Sequence, residues 1–377
     1  MPFSILHFSD LHLDASFAAS RLPPEIGRRC REEQRRALKQ ILRLARDRRA
    51  DAVTIAGDLF ENAYVRPETL EFIAGELASL APIPVFIAPG VHDAAEVDSP
   101  YHRHSWPPNV YIFHTQSLSE RALSPEYELW SAAHGPGNQG PGIAEGITAA
   151  SAGRIPILLL HEQLAATDTA AVTPAQGISV AAIAQAGFGI ALLGKSHRRM
   201  MATHASCLAV CPGSPQPLDF EANPDHGVAF IALTPGRDPI VEWTTIQGMT
   251  FHTLDIRVQP DDDMASMAAA ITTALEDARF RDSLVCVRLY GEPTRPVDGK
   301  LSALATQLRH HALYVGMDNR LSRPTDYEQL SQEPTVRGAF VREMLAQISA
   351  AAADDKILHD ALDYGAQAFE QEAIALR

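Results

Sequence analysis

Three apolar runs near the start of the chain each end in residues that can hold a metal ion. Residues 5–8 lead into Ser9, Asp10, Leu11 and His12; residues 52–56 into Gly57 and Asp58; residues 84–88 into Gly90, Val91, His92 and Asp93. Two later runs do the same: 155–160 ends at His161, and 188–193 ends in Gly194, Lys195, Ser196 and His197. Carboxylate oxygens combined with imidazole nitrogens suit a divalent transition ion such as Mn, Fe or Zn. Asp10 and His12 are two apart, so an extended chain would turn both to one side. Any single cluster could be a capped strand end beside a surface histidine. Recurrence at successive strand ends has no such structural explanation.

The runs that carry these clusters read as buried strands, and the stretches between them as helices. Residues 21–49 place Ala37, Leu38, Ile41, Leu42, Leu44 and Ala45 at helical spacing. Residues 67–80 open on Pro67, a residue favoured in a first helical turn. Strand, helix, strand, helix, strand predicts a parallel sheet, and in such sheets chemistry gathers beyond the carboxyl ends of the strands. Gly57 lets the backbone turn sharply beside Asp58. Residues 94–153 are uninformative, with a loop expected at 135–142 and with His102, His104, His114 and His134 read as structural or surface residues. After His197, residues 228–233 and 240–245 are expected as strands at the edge of a second sheet. A break at 247–249 divides a domain at 1–247 from an α+β cap at 248–325, followed by a helical tail at 326–377. That tail carries Ile357, Leu358, Leu362, Ala366 and Phe369, for packing on the body or docking on a partner.

Composition narrows the class. The chain has 377 residues, 46% hydrophobic and 21% charged, which suits a folded protein of about two domains. No apolar run approaches the ~20 residues of a membrane helix, and the first strand follows Met1 too closely for a secretory leader. Four scattered cysteines (Cys30, Cys207, Cys211, Cys286) favour reduced thiols and a cytoplasmic location. The net charge of −14 argues against general nucleic-acid affinity. It is unevenly spread, because residues 21–49 hold eleven basic against four acidic side chains, a local +7 that leaves −21 elsewhere. The basic face of this helix is either a solvated surface or a track for phosphates.

SDLH, GDLF, GVHD, LLLHE and GKSH stand in the order and rough spacing of the five motifs of the calcineurin-like metallophosphoesterases. SDLHLD, AGDLF, the Arg198-Arg199 pair and the Pro212 to Gln216 stretch resemble the DNA repair exonuclease branch of that family, of the SbcD and YhaO type. The resemblance implies a four-layer α/β fold, two central β-sheets flanked by helices, with a small α+β capping domain and C-terminal helices. It implies a first metal held by Asp10, His12, Asp58 and His197, with His92-Asp93 serving near the leaving group. The second metal would use Asp58, His161 and two further ligands, but Val91 and Lys195 stand at those two positions. Valine cannot coordinate, and a protonated lysine repels a cation.

One metal rather than two is therefore expected, most simply Mn. Lys195 should lie within salt-bridge reach of Asp58, and His161 should be an ordinary neutral histidine. The resemblance implies a metal-dependent phosphodiesterase acting on DNA, with a coiled-coil ATPase subunit as partner and a homodimer as a further option. The alternatives are a catalytically impaired scaffold subunit of a DNA-processing complex, or a phosphoesterase for a small molecule or nucleotide. No membrane association is expected.

Overall fold

The computed structural model describes residues 2–18, 20–134, 153–165, 177–220, 225–293, 301–321, 326–350 and 356–369. The expected loop at 135–142 lies outside them. In chain order the elements begin β1 (Phe3–Phe8), α1 (Pro24–Asp47), β2 (Ala52–Ala56), α2 (Pro67–Ala78), β3 (Val85–Ala88), α3 (Pro100–Arg103), β4 (Val110–Ile112), β5 (Ser119–Ala122) and β6 (Tyr127–Ser131). They continue with β7 (Ile155–Leu160), α4 (Val180–Gln185), β8 (Ile190–Leu193), β9 (Met200–His204), β10 (Cys207–Cys211), β11 (Val228–Leu233) and β12 (Ile240–Thr244). The remainder is β13 (Thr250–Val258), α5 (Met264–Leu275), β14 (Ser283–Gly291), α6 (Leu301–Gln307), β15 (Tyr314–Leu321), α7 (Tyr327–Ser331), α8 (Val336–Ala350) and α9 (Lys356–Phe369).

Two six-stranded sheets carry the ligand-bearing strands, one ordered β12-β11-β1-β2-β3-β4 and the other β5-β6-β7-β8-β10-β9. Each core strand is apolar on both faces because each face meets a different layer. In β2, Ala52 and Ala56 face the second sheet, whereas Val53 and Ile55 pack with Leu38, Ile41 and Leu42 of α1. In β7, Ile157 and Leu159 join the same intersheet core, and Leu158 and Leu160 turn to Val180 and Ile183 of α4. Helices, sheet, sheet and helix make four layers, as expected of the fold class. A three-stranded sheet, β13-β14-β15, follows.

β11 and β12 were expected at the edge of the second sheet and lie in the first. β11 pairs antiparallel with β1, from Phe3 opposite Leu233 to His7 opposite Ala229. The edge of the second sheet is formed instead by β9 and β10, whose hairpin follows His197. An apolar strand's period shows that it is buried but not which neighbour it joins.

His7 points into the space between the sheets, where its ring nitrogens lie 3.0 Å from Thr54 Oγ1 and 3.0 Å from the Leu193 carbonyl. Burial pulls its pKa down from 6.5 to about 4. The unfolded chain thus binds this proton at a higher pH than the folded one, so the stability it contributes is present above pH 6.5 and lost as pH falls through 4. Urea unfolding at pH 7 and pH 4 should show the wild type losing about 3 kcal/mol more than a His7→Gln variant. Equal losses would show that His7 takes up its proton without cost.

The chain divides into two compact units, residues 1–253, 276–286 and 309–316, and residues 254–275, 287–308 and 317–377. In the second, α8 and α9 pack through Val341, Met344, Leu358 and Leu362. Arg288 there lies 3.4 Å from both Asp255 and Asp318. Among the described residues no helix is long and apolar enough to cross a membrane.

Candidate metal centre

The polar clusters converge because the loops leaving β1 and β2 are laced together. Asp10 N donates to the Gly57 carbonyl at 3.1 Å, His12 N to Asp58 O at 2.9 Å and Leu13 N to Leu59 O at 3.0 Å. The extended geometry expected for Asp10 and His12 is not what presents them. β1 ends at Phe8, and Asp10, His12 and Asp58 adopt left-handed backbone angles, φ 55°, 50° and 50°. Left-handed non-glycine residues store strain that the surrounding structure must hold, and they cluster at functional sites.

Close approach is possible because two glycines lack side chains. A Cβ on Gly57 (φ +76°) would stand 2.4 Å from His161 Nδ1, and one on Gly90 would stand 2.4 Å from Asp58 Oδ1. Asp93 then fixes the turn. Its Oδ1 accepts from Asp58 N (3.0 Å) and Gly90 N (2.6 Å), and its Oδ2 from Leu59 N (2.8 Å) and Tyr101 Oη (2.7 Å). The carboxylate that sequence reasoning grouped with His92 as catalytic is engaged by four donors.

Three sets of side chains bring ligand atoms within 4.8 Å of one another: Asp10, His12 and His197; Asp10, Asp58 and His161; and His12, Glu61 and His92. His12 Nδ1 lies 2.6 Å from Glu61 Oε1, and His161 Nδ1 lies 2.7 Å from the Ala56 carbonyl. Donation from both Nδ1 atoms leaves each Nε2 facing Asp58, open to a proton or to a metal ion, the usual way a carboxylate or carbonyl orients a metal-binding histidine. These Nε2 atoms and Asp10 Oδ2 are buried and make no hydrogen bond. His161 Nε2 is 3.2 Å from Asp58 Oδ2, and His12 Nε2 is 3.7 Å from it. Buried polar atoms without partners are costly, and a cation in the Asp10, His12 and His197 set or in the Asp10, Asp58 and His161 set would satisfy those it reaches. The donor set thus fits a divalent ion.

The electrostatics agree. Burial raises the Asp10 carboxyl to about 6, even against the pull of His161. Burial also works to raise Asp58, but the neighbouring His161 and His12 hold it well below the usual carboxylate range. In turn burial would lower His161, but the Asp58 and Asp10 charges lift it to about 9, so it is not the ordinary neutral histidine expected. His12 likewise rises despite burial, through its bond to Glu61. These histidines seek a cation, whether proton or metal ion. His197, whose Nε2 is 3.9 Å from Asp10 Oδ1, is lowered to about 4 by burial and the nearby His12.

His92 is half exposed, with Nδ1 2.9 Å from Glu61 Oε2. That bond raises its pKa to about 9. Its backbone N donates to Asp58 Oδ1 at 2.8 Å. Lys195 is placed otherwise than expected. Its backbone N donates to Asp10 Oδ1 at 3.1 Å, but its ammonium lies 3.4 Å from Glu162 Oε2 and makes no ion pair with Asp58. Sequence reasoning missed three residues here: Glu61, Glu162 and His134, whose Nε2 is 2.5 Å from the His161 carbonyl. Glu61 follows GDLF directly and Glu162 closes LLLHE, and that adjacency is the only signal they offered.

Cys207 and Cys211 are buried and free in β10. On α1, most of the basic side chains have partners. Lys39 lies 3.5 Å from Glu76, and Arg35 reaches Asp14 (3.5 Å), Thr69 and the Phe72 ring (5.0 Å). Arg28 and Arg29 are exposed.

Residues 3–151 match the family described as calcineurin-like phosphoesterase. YhaO of Bacillus subtilis (strain 168), an uncharacterized metallophosphoesterase, is 23% identical over 300 residues, covering 78% of this chain and 72% of its own. Among solved structures, TT1561 of Thermus thermophilus is 14% identical with a TM-score of 0.40, over 66% of this chain and 100% of its own. A dimetal phosphatase from Danio rerio is 11% identical with a TM-score of 0.40, over 64% and 96%.

Proposed function

We propose that this chain, whose residues 3–151 match the calcineurin-like phosphoesterase family, is a metal-dependent phosphodiesterase acting on DNA. One divalent ion, Mn in the simplest case, would be held by Asp10, His12, Asp58 and His197, with His161 beside it. The observation that carries this reading is the gathering of ligand atoms within 4.8 Å in two sets, Asp10, His12 and His197, and Asp10, Asp58 and His161, with Asp10 Oδ2 and His12 Nε2 buried and without hydrogen bonds. A bound ion supplies Lewis-acid stabilisation of phosphoryl oxygens and an activated water. His92, kept protonated by Glu61, can offer a proton from its other ring nitrogen to a leaving oxygen. Lys195 can offer a point charge to a phosphate oxygen.

DNA as substrate is supported by the motif details shared with the exonuclease branch and by the exposed Arg28 and Arg29. The net charge of −14 favours a second reading, a small phosphoester or nucleotide. A cytoplasmic setting suits the four free cysteines. In the tail, Ile357 and Phe369 stay exposed, at 78% and 44%, which suits docking on a partner such as a coiled-coil ATPase.

The test is Mn loading of the purified chain followed by hydrolysis of bis(p-nitrophenyl) phosphate and of linear duplex DNA, with and without chelator. Chelator-sensitive cleavage of both supports the proposal. Cleavage of the small ester alone selects the second reading, and metal-free inert protein selects a scaffold. A charge reversal on α1 leaves Arg35 in place, since its loss would disturb Asp14 and Thr69. Arg28→Glu with Arg29→Glu should weaken DNA binding about tenfold and lower the salt slope by about 2; unchanged binding returns the helix to a solvated surface. Val91→Asn with Lys195→His should raise bound Mn from about one toward about two per chain by elemental analysis. A wild type already holding two would refute the single-ion reading.

A further inference from the structure

We infer that Glu162 is a positioning residue, whose carboxylate holds the Lys195 ammonium away from Asp58 so that a cation can bind there. The inference rests on the reading of this site as a metal centre. Lys195 begins at the centre itself: its backbone N donates to Asp10 Oδ1 at 3.1 Å. Asp10, Asp58 and His161 bring their ligand atoms within 4.8 Å of one another, and a lysine carries its charge on a flexible four-carbon stem. Asp58, nearly buried and strongly acidic, is an attractive partner for that ammonium. Yet the ammonium turns to Glu162 Oε2, at 3.4 Å.

Glu162 is held for this task. Its Oε1 lies 3.3 Å from Nε2 of the buried His134, the same nitrogen that reaches the His161 carbonyl at 2.5 Å. Its carboxyl stays below the ordinary range although burial opposes this, because His134 and Lys195 favour the charged form. Lys195 itself takes a left-handed backbone, φ 69°. One carboxylate thus spans a fixed histidine and a mobile ammonium. Without it, the ammonium would compete with a dication for Asp58.

The experiment titrates Mn²⁺ alone into the full-length wild type, Glu162→Gln, Lys195→Met and the double variant by calorimetry, with thermal melts confirming that each is folded. Glu162→Gln should weaken Mn²⁺ binding about tenfold or more, since an ammonium released onto a metal-binding carboxylate is a like charge at a few ångströms. The same substitution made in the Lys195→Met background should cost about threefold or less, the residual effect of one lost negative charge. An unchanged Glu162→Gln, or an equal loss in both backgrounds, overturns the inference while leaving the metal centre intact. A wild type that binds no Mn²⁺ overturns both.

Discussion

Asp58→Asn should abolish Mn²⁺ binding in the micromolar range and take phosphodiester hydrolysis with it, while leaving the protein folded. Asp58 is the carboxylate that several candidate ligands share: its Oδ2 faces His161 Nε2 at 3.2 Å and His12 Nε2 at 3.7 Å, and its Oδ1 accepts from His92 N at 2.8 Å. Asparagine keeps that last acceptor and tolerates the left-handed backbone at this position. The turn survives because Asp93, not the Asp58 side chain, holds the Asp58 backbone N. What disappears is the negative charge. Groups that merely support a metal site cost ~10–100-fold in affinity when lost, so a ligand that also polarises two histidines should cost at least about a hundredfold. Calorimetric titration with Mn²⁺ and a thermal melt measure the two halves of the claim. Retained affinity would show that Asp58 is not a ligand.

Asp93→Ala should act in the opposite way, on stability first. It strands four buried donors at once, the backbone N–H groups of Asp58, Leu59 and Gly90 and the Tyr101 hydroxyl. Each unsatisfied buried donor costs about 1–3 kcal/mol, less in combination where water can enter, so a total near 4 kcal/mol is expected. The melting temperature should fall by about 10 °C. Mn²⁺ binding should weaken as well, because the turn that presents Asp58 loosens, and saturating metal should recover part of the lost melting temperature. A variant that melts as the wild type does yet fails to hydrolyse would make Asp93 a participant in the chemistry after all.

These two variants separate what sequence could and could not reveal. That Asp10, His12, Asp58, His161 and His197 would come together was legible because each follows an apolar strand, and their ligand atoms do lie in sets within 4.8 Å. The core strands were legible for a related reason: β2, β7 and β11 have the bounds that their apolar runs indicate. Glu61, Glu162 and His134 were not legible, because a carboxylate or histidine supporting a ligand from the side obeys no spacing rule. The direction taken by Lys195 was misjudged on the same account, since it depends on Glu162, a residue from another strand's end. The basic run on α1 showed its charge in the sequence but not that Glu76, Asp14 and Thr69 wait beside it. Sheet membership of β11 was hidden because pairing is a property of two segments.

The seating of β1 bears on how the molecule comes to be assembled during synthesis. This strand lies between β2, which follows it within 50 positions, and β11, which arrives only at Val228. A growing chain halted before β11 would leave the strand that leads to Asp10 and His12 with one open edge, a template for wrong pairing. Contacts so distant in sequence are slow to form. His197 also emerges late, so an ion taken up early would meet an incomplete set of donors. The ion's full affinity should appear only once the final strands have closed the sheet, making metal uptake a mark of finished folding rather than its trigger.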